Sequence, residues 1–271
     1  MKRKFVLLLS FVSLVLICAM VISCGSSGSG SGSCTGGPFD VVGDWTLDVS
    51  GSGGSSSGPG VINSSGLAVF FQTTTTPPAP GDIVMLPSIT GTCSFSGTAT
   101  AYGTPASGGG SASQSVQGKV NSATSITGNI SNGNTFSLVP NSPLSGSVTA
   151  LSGPGWLGEI EGAAQPVIWD IVLAPSGSNN SMSFTGAGLL SSGATCDISG
   201  TFNQEGGNAA NLNVFDASIT FGAGCPFNNS SGVGFESNSD YFGINGNAQG
   251  TYLYAASSGS ALVLEIFKQA Q

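Results

Sequence analysis

The chain has 271 residues, of which 43 are Gly and 13 Pro, roughly 21%, while Leu, Ile, Val and Phe make about 25%; it is glycine-rich yet too apolar to be disordered throughout. Histidine is absent, which excludes Ser-His-Asp and Cys-His nucleophilic machinery and every His-ligated metal site. Charged residues are 7% with a net charge of −8, and three of the five basic residues stand in the first four positions, so the rest of the chain has no cationic footprint for nucleic acid.

The N-terminus reads MKRK and then FVLLLSFVSLVLICAMVIS, a basic segment followed by an apolar run, which predicts a secretion signal. The run closes on Val21-Ile22-Ser23-Cys24, and here the chain resembles a bacterial lipoprotein signal peptide. An aliphatic residue stands three before the cysteine and a small one just before it. Cys18, preceded by Ile17, fits this pattern less well. Over residues 1–24 the resemblance implies removal of residues 1–23, a lipid on Cys24, and a membrane partner held through that lipid. Gly25 rather than Asp follows the cysteine, which in the resembled class implies release to the outer membrane. The competing reading is an uncleaved anchor, since the apolar run is close to the ~17–25 residues that span a bilayer.

Residues 24–37 form a Gly/Ser tether with an r.m.s. reach of roughly 20 Å. Beyond the signal, two lysines stand against 13 Asp and Glu, and a chain so acidic is not expected to bind nucleic acid. Four cysteines remain: Cys34, Cys93, Cys196 and Cys225. In an exported chain they predict two disulfides. Cys196 and Cys225 are the natural local pair, and Cys34 with Cys93 follows by elimination.

Strand signals run along the rest. WTLDV at 45–49 alternates, with Asp44 and Asp48 opposite Trp45 and Leu47. TCSFSGTA at 92–99 alternates with Cys93 on the apolar side, as expected of a half-buried strand. Asn132-Gly133 lies between residues 125–131 and 134–139 and predicts a type I′ hairpin. A second Trp-led strand opens at Trp156, and residues 167–173 read as a strand apolar on both faces except at Asp170. TCDISGTF at 195–202 repeats the earlier cysteine strand, Ser-Ile-Thr recurs at 125–127 and 218–220, and residues 251–256 and 261–267 close the chain as a hairpin. These recurrences suggest a duplication into halves 38–150 and 151–271. The expected fold is all-β, an antiparallel sandwich or barrel built from two similar halves.

Chemistry is sparse. The GxSxG at 54–58 has no histidine to serve as base, and the GxGxxG at 153–158 has no helix after it. The oxygen-rich stretch 235–247 lacks the EF-hand pattern, so no metal and no cofactor is expected. Glu159 and Glu161 share a strand face and, with Asp170, are the candidate catalytic carboxylates. Tyr252 and Tyr254 share a face and are the candidate ligand-binding aromatics, suited to stacking sugar rings. The expected function is a non-catalytic binding or structural module facing the periplasm or cell surface. The alternatives are a carboxylate-dependent glycan hydrolase and an adhesin-like protein that engages other proteins.

Overall fold

The computed structural model describes residues 38–52, 54–71, 83–102, 111–141, 156–162, 168–178, 181–190, 192–205, 213–237, 250–257 and 262–269, with 156–178 and 250–269 described through their backbone. Eight strands come first: β1 (Gly43–Gly51), β2 (Gly54–Ile62), β3 (Ala68–Phe71), β4 (Ile83–Leu86), β5 (Ser94–Tyr102), β6 (Ser111–Ser122), β7 (Ser125–Ile130) and β8 (Thr135–Pro140). Each pairs antiparallel with the next, and β8 returns to β1 through Leu138 opposite Leu47, closing a barrel. A second set does the same: β9 (Trp156–Gly162), β10 (Ile168–Ser178), β11 (Ser181–Leu190), β12 (Thr195–Gln204), β13 (Phe215–Phe221), β14 (Ser230–Ser237), β15 (Gly250–Ser257) and β16 (Leu262–Gln269). Its closure is β16 on β9, with Leu264 opposite Ile160. Closure leaves no unpaired edge among these strands, the hazard of an open antiparallel sheet.

The alternating pattern decides what lies inside. Trp45, Leu47, Ile62, Phe70, Ile126, Phe136 and Leu138 point into the first barrel and are buried. Met182, Phe184, Cys196, Ile198, Phe202, Phe215, Ala217 and Ile219 form the core of the second, with the Phe184 and Phe202 rings stacked 5.1 Å apart. A narrow barrel must alternate large and small side chains across its interior, and the chain does so with phenylalanine over glycine. Phe70 stands opposite Gly60, Phe95 opposite Gly118, Phe136 opposite Gly128 and Phe184 opposite Gly200. A Cβ on Gly118 would lie 2.1 Å from Phe95 Cζ, and one on Gly200 would lie 2.4 Å from Phe184 Cζ and 2.1 Å from the Ser218 carbonyl oxygen. Part of the glycine content is thus a packing requirement: these strands hold rings where a neighbouring side chain would otherwise sit.

Cys196 and Cys225 are joined by a disulfide, as their spacing predicts, with Cα atoms 5.1 Å apart. It pins the segment after β13 onto β12, where Gly222 N also donates to the Asp197 carbonyl (2.9 Å). Cys93 is disulfide-bonded too; its expected partner Cys34 lies outside the described residues, as does Cys24.

Three local expectations need correction. The Asn132-Gly133 turn is a three-residue hairpin: Gly133 N donates to Ile130 O (2.9 Å), Ile130 N donates to Asn134 O (2.8 Å), and Gly133 is left-handed, at φ 88°. That is a type I turn closed by a glycine bulge. The same bonding recurs at Leu190, Gly193 and Ala194. In β10 strict alternation fails, because the register shifts between Trp169 and Val172; one extra residue at this bulge includes Asp170. Finally, the cysteine and Ser-Ile-Thr repeats do not occupy equivalent strands, although the two Trp-led strands each open their barrel. The cysteine motif falls at the fifth strand of the first barrel and the fourth of the second, and Ser-Ile-Thr falls on the seventh and the fifth. The halves share an architecture, while those two motif repeats reflect a common half-buried strand pattern rather than matched positions.

Candidate functional site: the seam between the barrels

Both barrels belong to one unit, Gly36–Gln271. Strands β2 to β4 are apolar outside as well as inside: Val61, Val69, Phe71 and Met85 face outward yet are buried. On the second barrel the outward Val233 and Phe235, with Val214 beside β13, are buried in turn. These faces meet. Strand β14 packs on β2, and the Phe71 and Phe235 rings lie 5.3 Å apart.

A polar set borders this apolar contact. The turn after β2 is organised by Asn63, whose Oδ1 accepts from Ser65 Oγ and Leu67 N, both at 2.8 Å. Its Nδ2 is thereby turned toward the other barrel, donating to Asp216 Oδ1 at 3.3 Å. Ser64 donates twice to Glu205, from N to Oε2 (2.7 Å) and from Oγ to Oε1 (2.9 Å). Asn213 Nδ2 donates to Asp44 Oδ1 at 3.1 Å, while Asp44 Oδ2 is buried without a partner. Burial pushes the Asp44 carboxyl up to about 7, against the lowering effect of the Asn213 bond. Burial also raises Glu205; the Ser64 donors oppose this, and the neighbouring carboxyl of Asp216 adds to it.

Beside these groups opens a cleft of about 430 Å³, lined by Asn63, Ser65, Leu86 and Ser88 from the first barrel and Asp216 and Ser231 from the second. Its size suits a small molecule. Its one carboxyl, Asp216, is held by Asn63, and both Glu205 oxygens are taken by Ser64. These two carboxyls therefore join the barrels. Among the described residues no three Cys, Asp or Glu side chains converge to hold a metal ion.

The sequence-predicted residues lie elsewhere. Register from Phe215, whose ring is inside, runs through Gly234, Ala255 and Leu264 to Ile160. The alternate row, on the outer face, is Phe235, Tyr254, Glu265 and Glu159. The row below it takes Tyr252, Phe267 and Leu157, and the row above takes Ala256, Val263 and Glu161. Tyr252, Tyr254, Glu159 and Glu161, which sequence reasoning treated as separate pairs, thus share the outer face of β15, β16 and β9. Asp170 falls in the β10 bulge, and most of 235–247 lies outside the described residues.

Sequence reasoning missed Glu205, Asp216, Asn63 and Asn213. It placed Asp44 and Asp48 alike on the face opposite Trp45 and Leu47, with nothing to separate them. Asp48 is exposed and accepts from Ser57 Oγ, whereas Asp44 is covered by the second barrel. The available signal was the run Ala-Val-Phe-Phe at 68–71, buried on both faces, which marks a barrel wall with a second neighbour. Comparison of the chain with family models, with curated proteins and with solved structures gave no match.

Proposed function

We propose that this is an exported, non-catalytic binding or structural module, held to the bacterial outer membrane by a lipid on Cys24 and facing the periplasm or the cell surface. The observation that carries the reading is the filled interior of the first barrel. Trp45, Phe70, Phe136 and their neighbours occupy the space that a lumen-binding protein keeps open. A packed barrel on a Gly/Ser tether is suited to presenting its outer surface. Growth with a labelled fatty acid tests the anchor: wild type should incorporate label and Cys24→Ser should not. Equal labelling of both would refute it.

A glycan is the ligand class favoured by one further observation. The outer face of β15, β16 and β9 places two tyrosines and Phe267 beside Glu159 and Glu265, which stand directly opposite each other. Aromatic faces stack on sugar C–H surfaces, and carboxylates accept from hydroxyls. Opposed like charges cost stability on a bare sheet, and hydroxyl donors would relieve that cost. Titrating the protein with soluble polysaccharides should give binding that falls at least tenfold in Tyr252→Ala/Tyr254→Ala. Unchanged binding would remove this face from consideration. Release of reducing ends, abolished by Glu159→Gln or Glu161→Gln, would favour the hydrolase instead, and a protein ligand on the same face would favour the adhesin-like reading.

A further inference from the structure

The seam contains three carboxyls, and the bonds around them are neutral. Asp44 enters from β1, Asp216 from β13 and Glu205 from the end of β12. The turn after β2 contributes Asn63, Ser64 and Ser65, and β3, β4 and β14 contribute Val69, Phe71, Met85, Val233 and Phe235 with the uncharged Ser231. Glu236 takes an interior register position on β14, opposite Leu253, and Tyr254 sits in register beside Phe235. Lys119, the one cation whose side chain is described, stands on β6 opposite Thr127; β6 lies across the first barrel from β2.

The donor pattern fixes where protons fit. Glu205 accepts two bonds from Ser64, one on each oxygen. Asp216 accepts one from Asn63 on Oδ1. Asp44 accepts one bond and buries a bare second oxygen, which a proton would neutralise. Loss of that proton would leave a bare buried charge at a contact whose donors are amides and hydroxyls.

We propose that the seam is a proton-operated latch, closed while a proton sits on Asp44 and loosened when it leaves. The sign follows from linkage. The closed seam holds a proton that the open seam, with an ordinary Asp44 carboxyl, releases. Closure is therefore fully favoured below about pH 4, weakens as pH rises, and reaches its floor above the folded Asp44 value of about 7.

Amide hydrogen exchange on the detergent-solubilised full chain reads this directly, because Ser64 N–H is itself a seam donor. After correction for intrinsic exchange, Ser64 protection relative to Leu47 in the first barrel should fall at least tenfold between pH 5 and pH 7 and then level off. One proton lost across that interval permits up to about a hundredfold. Asp44→Asn, whose amide imitates the protonated carboxyl, should keep Ser64 protected at pH 8. A ratio of Ser64 to Leu47 protection that stays constant from pH 5 to 8 in wild type would overturn the latch. So would a fall that persists in Asp44→Asn. Should the variant not fold, the wild-type comparison decides alone.

Discussion

Replacing Trp45 with alanine should lower stability by about 3–5 kcal/mol, the usual cost of emptying a fully packed aromatic site. The ring is 2% exposed, the largest side chain of the first barrel's core, and its Nε1 donates to the Val41 carbonyl at 2.8 Å. That bond ties the segment leading into β1 to the barrel interior. Alanine removes the packing and strips the carbonyl of its donor, two costs that add. Trp45→Phe restores most of the packing without the bond and should cost about 1–2 kcal/mol. Urea unfolding followed by circular dichroism measures both. A loss below about 1 kcal/mol for the alanine variant would mean that the first barrel is not filled in this way.

Removing the second-barrel disulfide as Cys196→Ala/Cys225→Ala should cost about 3.5 kcal/mol, the chain-entropy value for a closed loop of this length. The bond links positions 29 residues apart, so cleavage releases a long loop that β12 and β13 otherwise hold at both ends. Cys196 is fully buried in the core of that barrel, and alanine there also leaves a small void. Part of the loop should persist without the bond, since Phe221 N donates to Asn229 Oδ1 (2.9 Å) and the Phe221 and Phe227 rings are 5.3 Å apart. Wild type in reductant should approach the denaturation midpoint of the double variant, apart from the contribution of the Cys93 bond. Equal midpoints for wild type and double variant in oxidising buffer would contradict the entropic account.

What the sequence made legible was local. In β12 the buried positions Cys196, Ile198 and Phe202 are those that period-2 alternation assigns, and β1 buries Trp45 and Leu47 for the same reason. The Cys196–Cys225 pairing needed only spacing. Where one residue shifts the count, reading failed: the β10 bulge breaks the alternation through Asp170, and the bonding at Ile130 moves the hairpin turn one residue earlier. The seam was beyond reach because its partners are far apart in the chain. Ser64 and Glu205 are separated by 141 positions, and Asp44 and Asn213 by 169. No window around Asp44 distinguishes it from Asp48; one is half-buried and the other exposed because a second barrel covers the first. The shared outer face of Tyr254, Glu265 and Glu159 likewise depends on register across three strands.

The central claim, a lipid-anchored module exported in an oxidised state, is tested most directly by intact mass spectrometry of the full-length gene product extracted from bacterial membranes without reductant. The account predicts a chain that begins at Cys24, heavier than its sequence by a diacylglyceryl group and any further acyl chain, and lighter by the four hydrogens of two disulfides. A mass that retains residues 1–23, or one with no lipid increment, would contradict it.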